Sequence, residues 1–388
     1  MNEPRRVLFI TAYTGFGGGE RIQLELLRAL DPARYVPHLA VPREGQFAQA
    51  AREAGVTVHL LPFRAAMTPF VPWLWEGFPV VTRLAALLRD ARIDAVISDY
   101  HALPYAVAAG RKAGVPVIWL LQGWWFPVFP WQRRFFRDDV PHIVAVSQVV
   151  RDRWLARARV LVPDRIRVLL PGVDTAYFHP GVDGSPIRER LGIGPGAPLV
   201  ALLARFQRVK GHDIFLDMAR LVAAQIPDVR FVVAGDNIFE VSKDEQYKRA
   251  ILDRWQSDPV LHERVTYLGH LDDPRPVMAA ADVVVCPSRF ESLGMALVEA
   301  MAMARPIVSM NRGGPAETIV DGATGFLVPP EDPAGLAGCV IALLRDPAQR
   351  TRMGEAGRAH VVAQLSAERY AAQMADLLDA AIEQGGAL

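Results

Sequence analysis

Two glutamates eight positions apart, Glu291 and Glu299, sit in the stretch Cys286-Pro287-Ser288-Arg289-Phe290-Glu291-Ser292-Leu293-Gly294-Met295-Ala296-Leu297-Val298-Glu299. A buried strand ends there, a loop delivers one carboxylate, and a helix delivers the second. A helix start offers N–H groups and the positive end of its dipole, and Gly294 removes the side chain that would obstruct an anion. A pyrophosphate fits such a place, with Glu299 accepting hydrogen bonds from a ribose diol and Glu291 reaching a sugar's hydroxyls. Taken singly, Glu291 reads as a helix N-terminal charge and Glu299 as a solvated residue; spacing and setting together favour the ligand reading.

A second constellation, Leu203-Ala204-Arg205-Phe206-Gln207-Arg208-Val209-Lys210-Gly211, places two cations, Arg205 and Lys210, across a short loop just past an apolar strand. Such a pair can clamp a diphosphate and stabilise the charge of a departing nucleotide. Lys210 stands out because the chain has only four lysines. A third, Thr14-Gly15-Phe16-Gly17-Gly18-Gly19-Glu20, permits close backbone approach to a phosphate or sugar, or is a plain tight turn. Counted as G-x-G-x-x-G from Gly15, it puts Glu20 where the last glycine of a dinucleotide fingerprint belongs. No G-x-x-x-x-G-K-[ST], H-E-x-x-H, metal-type Cys/His cluster or D-x-D occurs, which weakens kinase, zinc-hydrolase and metal-dependent transfer readings.

The elements that must hold these loops follow a strand, loop, helix rhythm. Strand-like runs at 7–10, 35–41, 56–61, 94–98, 115–121 and 142–146 alternate with helical stretches, including one over 80–89. After a Pro-, Gly- and Asp-rich segment at 170–198, the expected hinge, the rhythm resumes. Strands are expected at 199–203, 230–234, 265–268, 283–286 and 306–310, with helices at 213–225 and from 294. The fold class is therefore α/β: two Rossmann-like, doubly wound parallel-sheet domains in tandem, whose functional loops face one interdomain cleft. The expected boundaries are 1–172, 173–365 and a final helical segment at 366–388.

With 388 residues, 51% hydrophobic and 22% charged, the composition is that of a globular chain of two cores. No secretion signal and no stretch of ~18 apolar residues is present, so any membrane contact is expected to be peripheral. Cys286 and Cys339 read as buried thiols suited to a reducing cytoplasm. Residues 1–172 hold 22 Arg/Lys against 14 Asp/Glu, leaving 21 against 28 for the remainder. The basic half suits anionic lipid, an acidic acceptor, nucleic acid or simply solvent. A stretch mixing aromatics with arginines, 124–137, begins with Trp124 and Trp125. Together with 69–81 (Trp73, Trp75), it reads either as a surface for a lipid interface, a sugar or a polyprenol, or as core of the first domain.

These residues resemble the retaining, GT-B-fold glycosyltransferases of family four (glycosyltransferase group 1 type). The likeness rests on Gly17-Gly18-Gly19-Glu20, Pro171-Gly172-Val173-Asp174 to Phe178-His179-Pro180, Arg205 with Lys210-Gly211, and Val233-Ala234-Gly235-Asp236. It continues through Gly269-His270-Leu271, the Glu291 to Glu299 element, Gly313-Gly314-Pro315-Ala316-Glu317 and Gly325 to Pro329. The resemblance implies a metal-independent, cofactor-free transfer of a hexose or N-acetylhexosamine from a nucleotide-diphosphate sugar. In it Arg205, Lys210 and Glu291 are catalytic, Glu299 holds the ribose, and the backbone near His270 and Leu271 meets the nucleobase. Gly17, Gly18, Gly19, Ser292, Leu293, Gly294, Met295, Ala296 and Leu297 complete the donor site. Retention in the family implies front-face substitution, the departing phosphate taking the acceptor's proton.

Where relatives carry His-Gly, this chain has Gln122-Gly123, which keeps a hydrogen bond to the donor sugar but no imidazole. Asp99 and His101, with Trp124 and Trp125, are the acceptor-side candidates, though capping or packing explains Asp99 and His101 equally. The expected partners are a nucleotide-sugar donor, a glycan, lipid-linked or small-molecule acceptor, and a peripheral contact with anionic membrane at the inner face; nucleic acid is not expected. The alternatives are a nucleotide-sugar epimerase or hydrolase on the same fold, an NAD-dependent oxidoreductase, and a non-catalytic binding partner.

Overall fold

The computed structural model describes residues 3–15, 17–65, 70–123, 142–157, 161–237 and 241–385, without the side chains of 70–77 and 385. Trp124, Trp125 and the rest of the aromatic and basic stretch lie outside the described residues, as do the side chains of Trp73 and Trp75. The chain divides into two compact units, one made of Met1–Pro171 with Ala367–Leu388 and the other of Gly172–Ser366.

In the first unit the chain runs β1 (Arg5–Ile10), α1 (Gly18–Ala29), β2 (Tyr35–Val41), α2 (Gln46–Glu53), β3 (Thr57–Leu60), α3 (Phe70–Asp90), β4 (Ala95–Ser98) and α4 (Leu103–Ala113). It continues through β5 (Val117–Leu121), β6 (His142–Ala145), α5 (Gln148–Arg157) and β7 (Ile166–Val168). The seven strands are parallel in the order β3-β2-β1-β4-β5-β6-β7. The central strands are apolar on both faces, as a parallel sheet covered by helices requires: Val7, Leu8, Phe9 and Ile10 of β1 are all fully buried. Trp119 and Trp154 meet edge to face, and the Trp154 indole N–H donates to the Gly123 carbonyl at 2.6 Å.

The second unit begins with α6 (Ser185–Arg190), β8 (Leu199–Leu203), α7 (His212–Ala223), β9 (Arg230–Ala234), α8 (Ser242–Ser257), α9 (Pro259–Arg264), β10 (Val265–Gly269) and α10 (Arg275–Ala280). Next come β11 (Val283–Cys286), α11 (Met295–Ala302), β12 (Ile307–Met310), α12 (Pro315–Thr318), β13 (Gly325–Val328), α13 (Pro333–Arg345) and α14 (Pro347–Gln364). Its six strands are also parallel, in the order β10-β9-β8-β11-β12-β13. In both sheets the strand order reverses beside an early central strand, which is where such folds leave a crevice beyond the carboxyl ends.

The chain enters and leaves the second unit at one place. Val173 N–H donates to the Leu365 carbonyl at 3.0 Å, and a Cβ on Gly172 would stand 2.1 Å from the Ser366 carbonyl oxygen. The last helix, α15 (Ala367–Gly385), belongs to the first unit. Its Asp379 pairs with Arg5 and Arg34 and accepts from the Tyr35 hydroxyl at 2.6 Å, while Tyr370, Met374, Leu377 and Leu378 are buried.

Two expectations change. The helix expected over 80–89 begins ten residues earlier and runs through Pro79, so 70–79 is helical although it lacks the spacing of an amphipathic stretch. β7 and β13 went unmarked as strands because they are not continuous buried runs: β7 is buried, exposed and half-buried in turn, and β13 is buried only at its two ends. Glu299 is only 4% exposed on a helix that is buried along nearly its whole length, so the solvated reading that was set aside does not hold.

Candidate functional site

The loops after β8 and β11 are locked together by their backbones. Gly211 has φ +70°, and a Cβ there would lie 2.1 Å from the Pro287 carbonyl oxygen, so a glycine is what lets the two loops touch. Arg289 N–H donates to the Val209 carbonyl at 2.7 Å. The Arg289 guanidinium donates to the Arg208 carbonyl at 2.9 Å and forks onto Asp213 at 2.9 and 2.8 Å. Burial works to raise the Asp213 carboxyl, but Arg289 and the Tyr247 hydroxyl outweigh it and hold the group at about 2.

This zipper delivers Lys210 to Glu291. Lys210 Nζ lies 2.7 and 2.9 Å from the two carboxylate oxygens, and Ser288 Oγ donates to Oε1 at 2.7 Å. The Lys210 and Glu291 side chains are 22% and 12% exposed, so both reach solvent while most of each is enclosed. Beneath them burial, then the Glu291 charge, pushes the Cys286 thiol up to about 11, which keeps it neutral.

The Glu291 backbone is fixed from a third loop. Gly314 N–H donates to the Glu291 carbonyl at 2.9 Å. A Cβ on Gly313, whose φ is +81°, would fall 2.2 Å from that same oxygen, and one on Gly314 would fall 2.2 Å from Leu293 Cα. Ser292 and Leu293 are thus held between this support and α11. Gly294 opens α11 with φ +94°, and the first helical bonds back to its carbonyl come from Leu297 and Val298. The amides of Met295 and Ala296 therefore occupy the positions that a helix leaves without an intrahelical acceptor. Glu299 follows one turn further on, buried.

Arg205 is half-buried in the loop between β8 and Lys210, beside Phe206, which is buried and stacks on His212 at 4.3 Å. His270 and Leu271 leave the carboxyl end of β10, His270 exposed and 3.7 Å from Asp272. Gly235 N–H donates to the Gly269 carbonyl at 2.8 Å, tying the β9 and β10 ends. Arg205, Lys210, His270, Leu271, Glu291 and the Gly294 turn all therefore stand at the carboxyl edge of one sheet.

In the first unit the glycine loop caps α1: Gly17 N–H donates to Glu20 Oε2 at 2.9 Å, and Glu20 is buried. Gly18 has open space where a Cβ would be. Gln122 Nε2 donates to the Gly19 carbonyl at 3.0 Å while its Oε1 accepts from Gln23 at 3.1 Å, and a Cβ on Gly19 would come within 3.3 Å of that oxygen. Asp99, 4% exposed, accepts from Thr11 Oγ1 at 2.6 Å and from the Ala102 amide at 2.8 Å. Burial raises its carboxyl to about 6 against these bonds. His101, also buried and held down at about 4 for that reason, has Nε2 2.7 Å from the Tyr13 hydroxyl.

The structure thus joins Lys210 to Glu291 and Gly19 to Gln122. Sequence reading missed Ser288, the Arg289–Asp213 fork, the Gly313–Gly314 support and the partners Thr11, Tyr13 and Gln23. Of these, the glycine pair carried a visible signal, since two adjacent glycines before a helix mark a close backbone approach. Among the described residues no helix is long and apolar enough to cross a membrane.

Two family models match. One, described as "Glycosyl transferases group 1", covers residues 197–346, and another, "Glycosyltransferase Family 4", covers 16–177. The alpha-maltose-1-phosphate synthase of Mycolicibacterium smegmatis is 32% identical over 265 residues, 65% of this chain and 66% of that protein. A D-inositol 3-phosphate glycosyltransferase of Acidothermus cellulolyticus is 33% identical over 245 residues, 60% and 53%. The chain spans about half to two thirds of the length of the curated relatives it first matches. A GDP-mannose-dependent monoacylated alpha-(1-6)-phosphatidylinositol monomannoside mannosyltransferase of Corynebacterium glutamicum is 32% identical over 316 residues, 76% of this chain and 78% of that one. Among solved structures, HepE of Anabaena with UDP and glucose superposes with a TM-score of 0.81 at 20% identity, covering 96% and 99% of the two chains. A glycosyltransferase of Rickettsia africae gives 0.86 at 18% identity, covering 98% and 99%. With two Rossmann-like parallel-sheet units and matches of this extent, the chain belongs to the group 1, family 4 glycosyltransferases and has their GT-B fold.

Proposed function

We propose that this protein transfers a hexose or N-acetylhexosamine, with retention, from a nucleotide-diphosphate sugar to a glycan, lipid-linked or small-molecule acceptor. The observation that carries the reading is the Lys210–Glu291 pair beside the Gly294 helix start. On arrival of the donor, the diphosphate replaces Glu291 as partner of Lys210, and Arg205 and the amides of Met295 and Ala296 share its charge. Glu291, released from the lysine but still held by Ser288, turns to the sugar's hydroxyls. Glu299 takes the ribose, and the backbone at His270 and Leu271 the base.

As the glycosidic bond breaks, negative charge grows on the leaving phosphate, where the two cations stabilise it most. The same phosphate oxygen accepts the acceptor's proton on the face it leaves, so neither a protein nucleophile nor a metal or cofactor enters this reading. Support for the donor class comes from the relatives: one is named as GDP-mannose-dependent and a neighbour was solved with UDP and glucose. The mannosyltransferase acts by name on a phosphatidylinositol mannoside, which favours a lipid-linked acceptor met by peripheral contact with a membrane.

Thermal-shift titration with UDP-, GDP- and ADP-sugars tests the donor: one of them raises the melting point by mass action. Product analysis without acceptor then separates the readings. An intact donor supports transfer, whereas its conversion identifies an epimerase or hydrolase, and no shift with any nucleotide sugar removes the assignment.

A further inference from the structure

A cavity in the same unit lies at the other end of the sheet from the Lys210 and Glu291 loops. It has a volume of about 720 Å³ and is bordered by Asp282, Arg305, Arg350, Thr351, Glu355 and Arg358. Asp282 immediately precedes β11 and Arg305 stands two residues before β12, so the groove opens at the amino ends of the strands whose carboxyl ends carry the Glu291 loop.

Its charges do not balance. Arg188 Nη2 and Arg350 Nη2 share one carboxylate, lying 3.0 and 3.4 Å from opposite oxygens of Asp282. Arg305 spends Nε on the Met303 carbonyl at 3.2 Å and Nη1 on the Ala281 carbonyl at 3.2 Å, with no carboxylate within ion-pair distance among the described residues. Arg358 donates to the carbonyls of Phe178 and Ala302. Three guanidinium groups, 305, 350 and 358, thus line the groove with two carboxylates, 282 and 355, and one of those carboxylates is also drawn on by Arg188 from outside the lining. Burial holds the Arg305 guanidinium below its ordinary value; Asp282 works against this, while Arg188 and Arg350 add to it. Crowded like charges, with Arg305 Nη2 left without a hydrogen bond among the described residues, are what a phosphate oxygen neutralises well.

We infer that this arginine-lined groove is a second anion site, which takes a phosphate group, free or carried on a small soluble molecule, independently of the donor. Arg305 and Arg350 are its direct ligands, with Arg358 at the rim. Arg358 also holds the carbonyl of Ala302, the last residue of α11. An occupant would therefore sit against the far end of the helix whose start is read as the diphosphate site.

Inorganic phosphate is the probe, titrated by thermal shift against chloride of matched ionic strength. Wild type and Lys210→Ala are both expected to gain melting temperature with phosphate and not with chloride. Arg350→Gln and Thr351→Glu are expected to lose that gain. Thr351→Glu places a negative charge on the exposed lip and removes none of the ion pairs, so it tests the site even if Arg350→Gln folds poorly. A gain that vanishes in Lys210→Ala assigns the phosphate to the donor site and overturns the inference. A gain unchanged in Thr351→Glu, or no gain over chloride in wild type, overturns it equally. Because the readout is phosphate binding in a Lys210→Ala background, its failure is distinct from failure of the glycosyltransfer reading.

Discussion

Lys210 and Glu291, 81 residues apart in the chain, are joined through both carboxylate oxygens at 2.7 and 2.9 Å. The pair keeps each charge compensated in a half-enclosed site and gives the lysine a partner that a phosphate can replace. Lys210 ends a single 3-10 turn, Arg208–Lys210, and Glu291 lies on a loop, so no long element positions either residue. Both depend on the backbone contacts that Gly211, Gly313 and Gly314 permit.

Lys210→Ala is expected to lower kcat about a hundredfold or more, the scale for losing one stabiliser of transition-state charge. Glu291→Gln should leave nucleotide affinity nearly intact while reducing turnover, because its proposed role is on the sugar. Steady-state kinetics with nucleotide-binding calorimetry checks both, and unchanged kcat in the two variants contradicts the site.

Gly211→Ala should destabilise the second unit by more than the about 1–2 kcal/mol that a left-handed alanine costs alone, because its Cβ also meets backbone at 2.1 Å. Gly192, with φ +64° and open space at its Cβ position, is the control, and Gly192→Ala should show only the conformational cost. Denaturant melts separate the two, and equal losses would mean that the loop contact is not rigid.

Gln122→Ala removes the donor to the Gly19 carbonyl and the acceptor for Gln23. A loss of about 1 kcal/mol in stability is expected. The glycine loop should also loosen, raising KM for the donor more than it lowers kcat. Gln122→Glu keeps the acceptor for Gln23 but loses the N–H to the Gly19 carbonyl, and should raise KM for the donor as the alanine variant does.

Acid should destabilise the chain well above the carboxylate range. His38, stacked on His59 with Nδ1 2.9 Å from its partner's Nε2, is held down at about 4 by burial first and by His59 and Arg6 after it. His101 and His212 are also lowered to about 4 by burial. Between 6.5 and 4 the unfolded chain therefore binds more protons on these three groups, so stability falls as pH falls through that window. Asp99, raised to about 6, acts oppositely: it contributes stability below 3.8 that is lost as pH rises through 6, one group against three. Melting temperatures from pH 7 to pH 4 should fall, with a shallower slope in His38→Gln. An unchanged slope in that variant contradicts the account.

Chelation is expected to leave transfer unaffected, because the charge on the leaving phosphate is assigned to Lys210 and Arg205. Initial rates with and without excess EDTA decide this, and a rate that collapses and returns with magnesium contradicts it.

The second sheet was largely legible because its strands are short buried runs between glycine or proline turns: 199–203, 230–234 and 283–286 coincide with the strands observed. Local apolar pattern fails where burial is asymmetric, as in β7, whose residues are buried, exposed and half-buried in turn. It fails again in α3, where a run of large apolar residues around Pro79 masks a helix. At the site, the types and spacing of Glu291, Lys210 and Gly294 were informative because each carries its own chemistry. The supports were not, since Arg289 finds Asp213 across 76 positions and Gly313 serves a carbonyl on another loop. Such long-range contacts leave no periodic trace.

The meeting of Gly172 with Ser366 has a topological consequence. Residues 172–366 form an insertion between β7 and the helix that completes the first unit, and the two ends of that insertion touch. Excised as a cassette, it would begin and finish at neighbouring points, and a short splice would close the gap left in the host. Recombination between relatives could thus exchange the segment carrying the proposed donor loops without cutting through either hydrophobic core.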